Sequence, residues 1–225
     1  MLPELAPVKM INVEVVIRHF WPKALRTIQE WGDVENDGKA LRAVADRSLP
    51  TRQGDLRGWL QSWRVFLGLT NMQRDKITEA ALAWADARVQ GRDLTSPESM
   101  AAAHAELMDA IHRSSSDLER RDFTSLASKV LWLCYPHKAS ICDSYAMCAL
   151  YVISKLEDGL APIAEEPKYY QFVSVWKNLY TRYESTIESL DMGTYTYRVR
   201  VFDRILWLIG QPYYTDRLPK APPAA

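Results

Sequence analysis

The sequence predicts an all-α, multi-helix protein of one domain, arranged in one or two lobes. Three observations predict it. Apolar residues recur three and four positions apart along most of the 225-residue chain. The β-branched stretch Val13 to Ile17 lies inside such a helical pattern and has no hairpin turn beside it. Helix punctuation also falls in the right order, with Pro167 opening and Gly193 following the stripe Tyr169, Phe172, Val173, Trp176, Leu179, Tyr180 and Tyr183. An apolar fraction of 48% excludes a disordered chain, and nine glycines exclude a linker or collagen-like one.

The periodicity places helices over 11–31, 38–48, 54–67, 70–90, 97–114, 123–134, 143–157, 167–190 and 195–210. Pro22 should kink or restart the first, because it lacks a backbone donor and crowds the preceding turn. Within 54–67, Trp59, Trp63 and Phe66 share a face that suits the core. Ser96-Pro97-Glu98 is a start signal: Ser96 caps, Pro97 takes the first helical position and Ser99 follows. Residues 91–96 separate two helices and are the expected hinge between lobes. Pro136 ends the helix over 123–134, and Asp143 caps the next, where a carboxylate accepts from free amides at the positive end of the dipole. The helix over 195–210 has little polar face, so Arg198, Arg200, Asp203 and Arg204 must sit at a buried contact. Asp203 is expected to pair with one of these arginines; the alternative turns Arg200 and Arg204 toward a cleft. The domain is read as 1–214, followed by a disordered proline-rich tail over 215–225.

The 28 basic and 28 acidic residues balance, which excludes a generally basic polyanion binder. Positive charge nevertheless gathers in two stretches. One holds Lys39, Arg42, Arg47, Arg52, Arg57 and Arg64, and the other Arg113, Arg120, Arg121, Lys129 and Lys138. On one face they could track phosphates, with Trp59 and Trp63 stacking on bases, although core packing is the simpler role for both rings. The longest apolar run, Ala146 to Ile153, is too short to span a bilayer, and the start carries no secretory pattern, so a cytoplasmic protein with no membrane partner is expected. Three cysteines without framework spacing suit reduced thiols. Cys134, His137, Cys142 and Cys148 lack the paired spacing of a zinc site, so no metal and no cofactor are predicted. His104 and His112 are read as surface or boundary histidines. Neither a nucleophile elbow, a phosphate-binding Gly-Lys-Ser/Thr loop nor HExxH is present.

One stretch stands apart: Asp122-Phe-Thr-Ser-Leu-Ala-Ser-Lys129, an aromatic and apolar turn closed by Pro136, then Ile141-Cys-Asp143-Ser-Tyr145. It resembles bacterial proteins similar to 8-oxoguanine DNA glycosylases, within the helix-hairpin-helix glycosylase superfamily. Phe202-Asp-Arg-Ile-Leu-Trp207 resembles the closing helix of those proteins. Together the two matches span 30 of the 225 residues. The resemblance implies a glycosylase-like all-α fold and base excision from DNA with lyase chemistry. It gives Lys129 the place of the nucleophile that attacks the sugar C1′ and forms a Schiff base. Asp143 takes the place of the carboxylate that stabilises the developing oxocarbenium and helps activate the lysine. Nucleic-acid contacts fall to Arg113, Arg121, His137, Lys138, Ser144 and Tyr145.

The chain departs from that pattern in two ways. No glycine occurs between Arg92 and Asp158, where the family's hairpin brings backbone amides to a phosphate, and Lys129 and Asp143 stand only 14 positions apart. Two alternatives follow. One is a catalytically inactive member of the fold that binds a protein partner or a second copy of itself. The other is an enzyme on free nucleobases or nucleosides, which needs a lysine and aspartate pocket but no basic face.

Overall fold

The computed structural model describes residues 12–88, 94–118, 121–164 and 168–215. Within them the fold is all-α, with no strand. The chain runs through α1 (Val13–Glu30), α2 (Asp33–Ala45), α3 (Arg52–Ser62), α4 (Asn71–Arg88), α5 (Pro97–Arg113), a short 3-10 turn (Ser116–Leu118), α6 (Thr124–Cys134), α7 (Ser144–Leu156), α8 (Tyr169–Arg182), α9 (Glu184–Ser189) and α10 (Arg198–Thr215). No helix of the described residues is long and apolar enough to cross a membrane. Of the hinge expected at 91–96, residues 91–93 lie outside the described residues, as do Pro167 and positions 216–225 of the expected tail.

Helix α1 starts where Asn12 accepts from the Val15 amide, and it buries Val13, Ile17, Trp21, Ala24 and Ile28 as one stripe. The expected restart at Pro22 does not occur, since the helix continues to Glu30. Pro22 faces solvent, and the stripe packed along α10 and α2 outweighs the one backbone bond that Pro22 removes. Gly32, at a φ of +69°, turns the chain into α2 five residues before the expected start. There Asp33 and Glu35 occupy the first turn, where acidic residues suit the dipole. Asp37 is buried in the same helix and accepts from Trp59 Nε1 and the Tyr195 hydroxyl, both at 2.8 Å. These tertiary bonds fix a segment of low helix propensity.

Helix α3 stops at Ser62 rather than 67, because Arg64 adopts a left-handed φ of +57° and Gly68 one of +70°. Residues 63–68 form a turn-rich lip. Helix α5 opens on the expected cap, with Ser96 and Ser99 bonded reciprocally and Pro97 in the first turn. The segment read as one helix over 167–190 is two helices, α8 and α9, separated at Tyr183. Arg198 donates to the Ile187 and Leu190 carbonyls at 2.7 and 2.8 Å and so closes α9.

Helices α7 and α10 form the closest pair. Gly210 is what permits it: a Cβ there would sit 1.8 Å from the Tyr145 carbonyl oxygen. Gly210 lies inside α10, which continues to Thr215, rather than ending it as its position in the sequence suggests. Arg200, Asp203 and Arg204 are all buried on α10. The expected pairing of Asp203 with an arginine is not found. Asp203 accepts instead from Ser140 Oγ at 2.8 Å, the Ile141 amide at 2.9 Å and Trp176 Nε1 at 3.0 Å. That set anchors the connector before α7 to α10. The arginines pair with α2: Arg200 with Asp33 and Asp37 at 3.2 and 3.5 Å, and Arg204 with Asp33.

Candidate functional site

Lys129 lies in the middle of α6, fully buried, and its ammonium donates to Ser125 Oγ at 2.7 Å. The nitrogen also stands 4.9 Å from the centre of the Trp63 ring. Burial lowers the lysine's pKa; the Asp143 carboxylate opposes that shift and the Arg200 guanidinium adds to it. Asp143 caps α7, accepting from the Ala146 amide at 2.9 Å. Among the described residues Lys129 and Asp143 make no direct ion pair. Their relation is set by the backbone between them. Ser128 Oγ accepts from the Cys142 amide at 2.9 Å and shares its proton between the Ser125 and Cys142 carbonyls, at 3.0 and 3.1 Å. The residue before Lys129 is thus fastened to the residue before Asp143.

Both side chains line one cavity of about 410 Å³, with Ser125, Asp122, Phe123, Ser144 and Tyr145. A second cavity of about 490 Å³ adjoins it, bounded by Trp31, Asp33, Asn36, Arg204 and Gln211. Trp63, Arg64, Tyr145 and Trp207 line both, and so form the wall where the two meet. The aromatic rings interlock: Trp207 meets Tyr145 edge-on at 5.1 Å and Trp31 edge-on at 5.5 Å. Trp31 is 55% exposed at the mouth of the second cavity, and Leu67 is 71% exposed at the rim of the first.

Three buried cations surround Trp63. Besides Lys129, the Arg200 and Arg204 guanidinium carbons lie 4.4 and 5.6 Å from its ring centre. Burial together with the Arg200 charge lowers the Arg204 pKa to about 10, so it remains a cation at neutral pH. Burial likewise raises Asp33, against the pull of Arg200 and Arg204. The alternative in which the α10 arginines face a cleft therefore holds for Arg204, which lines the second cavity.

Of the residues expected to contact nucleic acid, Ser144 and Tyr145 line the cavity that holds Lys129 and Asp143. Arg121 is outside the lining of either cavity; it donates to the carbonyls of Leu67, which lines the cavity, and Gly68, each at 3.2 Å. Arg113 is exposed at the end of α5, and His137 and Lys138 are exposed on the α6 to α7 connector, with His137 against Tyr197. These three lie outside the lining of either cavity. Arg120 lies outside the described residues. The basic stretch over 39–64 is largely neutralised: Lys39 pairs with Glu35, Arg47 and Arg52 with Asp86, and Arg57 with Asp75.

His104 is not the surface or boundary residue expected. It is 5% exposed, stacks on Tyr169 with ring centres 3.8 Å apart and bonds the Thr124 carbonyl at 3.1 Å. Cys142 and Cys148 are buried free thiols and Cys134 is half-buried. Among the described residues no group of three His, Cys, Asp or Glu side chains could hold a metal ion.

The sequence gives no site role to Trp31, Asp33 or Trp207, and Arg64 only a share in the basic stretch over 39–64. Trp63 was read as core because it repeats Trp59 after four positions, yet only Trp59 and Phe66 are buried. The crowding of tryptophans with Arg200 and Arg204 was the available signal. Compared with known proteins, the chain matches no protein-family model, no curated protein and no solved structure.

Proposed function

We propose that the protein is a glycosylase-like enzyme acting on nucleic acid, with Lys129 as nucleophile and Asp143 as its electrostatic partner. The observation that carries the reading is the shared cavity: a buried lysine of lowered pKa and a carboxylate line one aromatic-walled space. A lysine attacks only as the free amine, and burial moves it in that direction. In the proposed step the neutral Nζ bonds to C1′ of a nucleotide while the glycosidic C–N bond breaks and the base leaves with that electron pair. Asp143, by its charge, stabilises the positive charge that develops on the sugar. One Nζ proton then passes to the departed base, and opening of the C1′–O4′ bond, with the second Nζ proton passing to O4′, gives the C1′=Nζ Schiff base. Trp63, Tyr145 and Trp207 offer ring faces for a base removed from its stack. The resemblance of the stretch around Lys129 and Asp143 to the helix-hairpin-helix glycosylases supports the same assignment.

Borohydride reduction in the presence of oligonucleotides carrying an abasic site or 8-oxoguanine tests the reading. A covalent adduct is expected with the intact protein and none with Lys129→Gln. An adduct that persists in Lys129→Gln, or its absence from the intact protein, overturns the lysine assignment.

A second reading, an enzyme on free nucleosides, draws on the charge arrangement. Arg113, His137 and Lys138 lie off the cavities and the stretch over 39–64 is mostly neutralised, so the surface offers little basic track for a duplex. Release of a base from nucleosides as fast as from an oligonucleotide would favour it.

A further inference from the structure

Among the cations of the two cavities, Arg64 differs from the rest. Lys129 is bonded to Ser125 and Arg204 is paired with Asp33, while behind the lining Arg200 is paired with Asp33 and Arg121 holds two carbonyls. Arg64 is exposed, and among the described residues its guanidinium makes no hydrogen bond, ion pair or ring contact. It is also the one non-glycine residue of the described chain at positive φ. An arginine in the left-handed region is strained, where glycine or asparagine would be accommodated more readily. Its backbone is held by bonds to Gln61 and Leu67, but among the described residues no side-chain contact offsets that strain. The residue nevertheless stands where the two cavities meet, between the Lys129 side and the Trp31 side. Arg121 tethers the lip that carries it, bonding the backbone at Leu67 and Gly68.

We infer that Arg64 takes a phosphate of the substrate at the wall shared by the two cavities. A guanidinium presents several donors in a planar fork that matches phosphate oxygens. The aromatic sides of both cavities suit bases, so a phosphate at Arg64 places one nucleoside on the Lys129 side and a neighbour beside Trp31 and Trp207. The ligand is then a phosphodiester-linked strand rather than a neutral nucleoside. The substrate class rests on the nucleic-acid reading above, whereas the anion contact is tested without any chemistry at Lys129.

The test is fluorescence titration of the full-length protein, since Trp31, Trp63 and Trp207 line the cavities and report occupancy. Three probes are compared: a thymidine trinucleotide, the same trinucleotide with uncharged methylphosphonate linkages, and thymidine monophosphate. The expected result is about tenfold tighter binding of the charged trinucleotide than of the neutral one, a difference lost in Arg64→Asn. The variant should also flatten the slope of log affinity against log salt by about 0.7 for the one phosphate it no longer neutralises. Asparagine tolerates the left-handed backbone, so the lip keeps its shape, and Arg64→Lys should restore part of the discrimination. Arg64-dependent binding of the monophosphate alone would keep the phosphate contact and assign it to a free nucleotide. Equal binding of all three probes by the intact protein and Arg64→Asn, or no binding by the intact protein, overturns the inference. Arg64-dependent binding without a borohydride adduct would sink the lysine chemistry alone.

Discussion

Gly210→Ala should destabilise the protein although alanine is the better helix former, and the sign of the effect makes it decisive. Gly210 is buried within α10, and an added Cβ would meet the Tyr145 oxygen at 1.8 Å, its carbonyl carbon at 2.7 Å and the Ala149 nitrogen at 3.1 Å. Carbon and oxygen come no closer than about 3.3 Å in ordinary contacts, so α7 and α10 must part locally by roughly 1.5 Å. All three obstacles are backbone atoms, which cannot rotate away. Overpacking a core costs about 3 kcal/mol at the upper end of its usual range, and replacing glycine inside a helix returns about 1 kcal/mol. The net loss is therefore about 2 kcal/mol, or a fall of roughly 4 to 8 °C in Tm for a chain of this size. Urea denaturation and thermal melting, both followed by far-ultraviolet circular dichroism, measure it. An alanine variant as stable as the parent would refute the close approach of the two helices.

Two further predictions concern buried titratable groups. Burial holds His104 down at about 4, so its neutral form contributes fully above pH 6.5, and that contribution drains as pH falls from 6.5 toward 4, by roughly 3 kcal/mol. Asp203, raised to about 7 by burial, acts in the opposite direction between pH 4 and 7, so the histidine effect is read as the difference between the intact protein and His104→Phe in urea denaturation at pH 7 and pH 4.5. The gap between the two should narrow in acid; a constant gap would exclude a neutral buried His104. Asp203→Asn keeps an acceptor for Ser140 and Trp176 but sets an N–H donor against the Ile141 amide, and should cost about 2 kcal/mol at pH 5. The cost should shrink toward pH 7, because below that pH the native carboxyl keeps its proton while the unfolded one has released it, and each rise in pH favours the unfolded form. Unchanged stability at both pH values would mean that Asp203 does not anchor the connector.

The all-α class was legible because one-sided burial imposes its period on the sequence, as the stripe Val13, Ile17, Trp21, Ala24 and Ile28 illustrates. Caps were legible too, since Ser96 and Asp143 act through neighbours a few positions away. Features set by distant partners were not. The start of α2 depends on Asp33 and Asp37 meeting Arg204 and Arg200 of α10, more than 150 positions on, and Gly210 reads as a terminator until Tyr145 is seen against it. At the site, Lys129, Asp143, Ser144 and Tyr145 were singled out from one contiguous stretch, and the structure lines one cavity with them. Trp31, Asp33, Arg64 and Trp207 come from three other segments, and no local spacing relates them. The basic stretch over 39–64 was misleading because its partners Asp75 and Asp86 lie on α4, outside the stretch.

The Ser128 clasp has a consequence for how this protein can be altered. Lys129 and Asp143 do not hold each other in place: a hydroxyl one residue before the lysine grips the backbone one residue before the aspartate. Lys129 can then be exchanged while the frame that spaces the pair stays intact, whereas Asp143 also caps α7 through the Ala146 amide, so asparagine is the exchange that keeps the frame there. Lys129→Gln and the cap-preserving Asp143→Asn therefore report chemistry rather than collapse. Ser128→Ala would do the reverse, leaving both functional groups present and loosening only the distance between them.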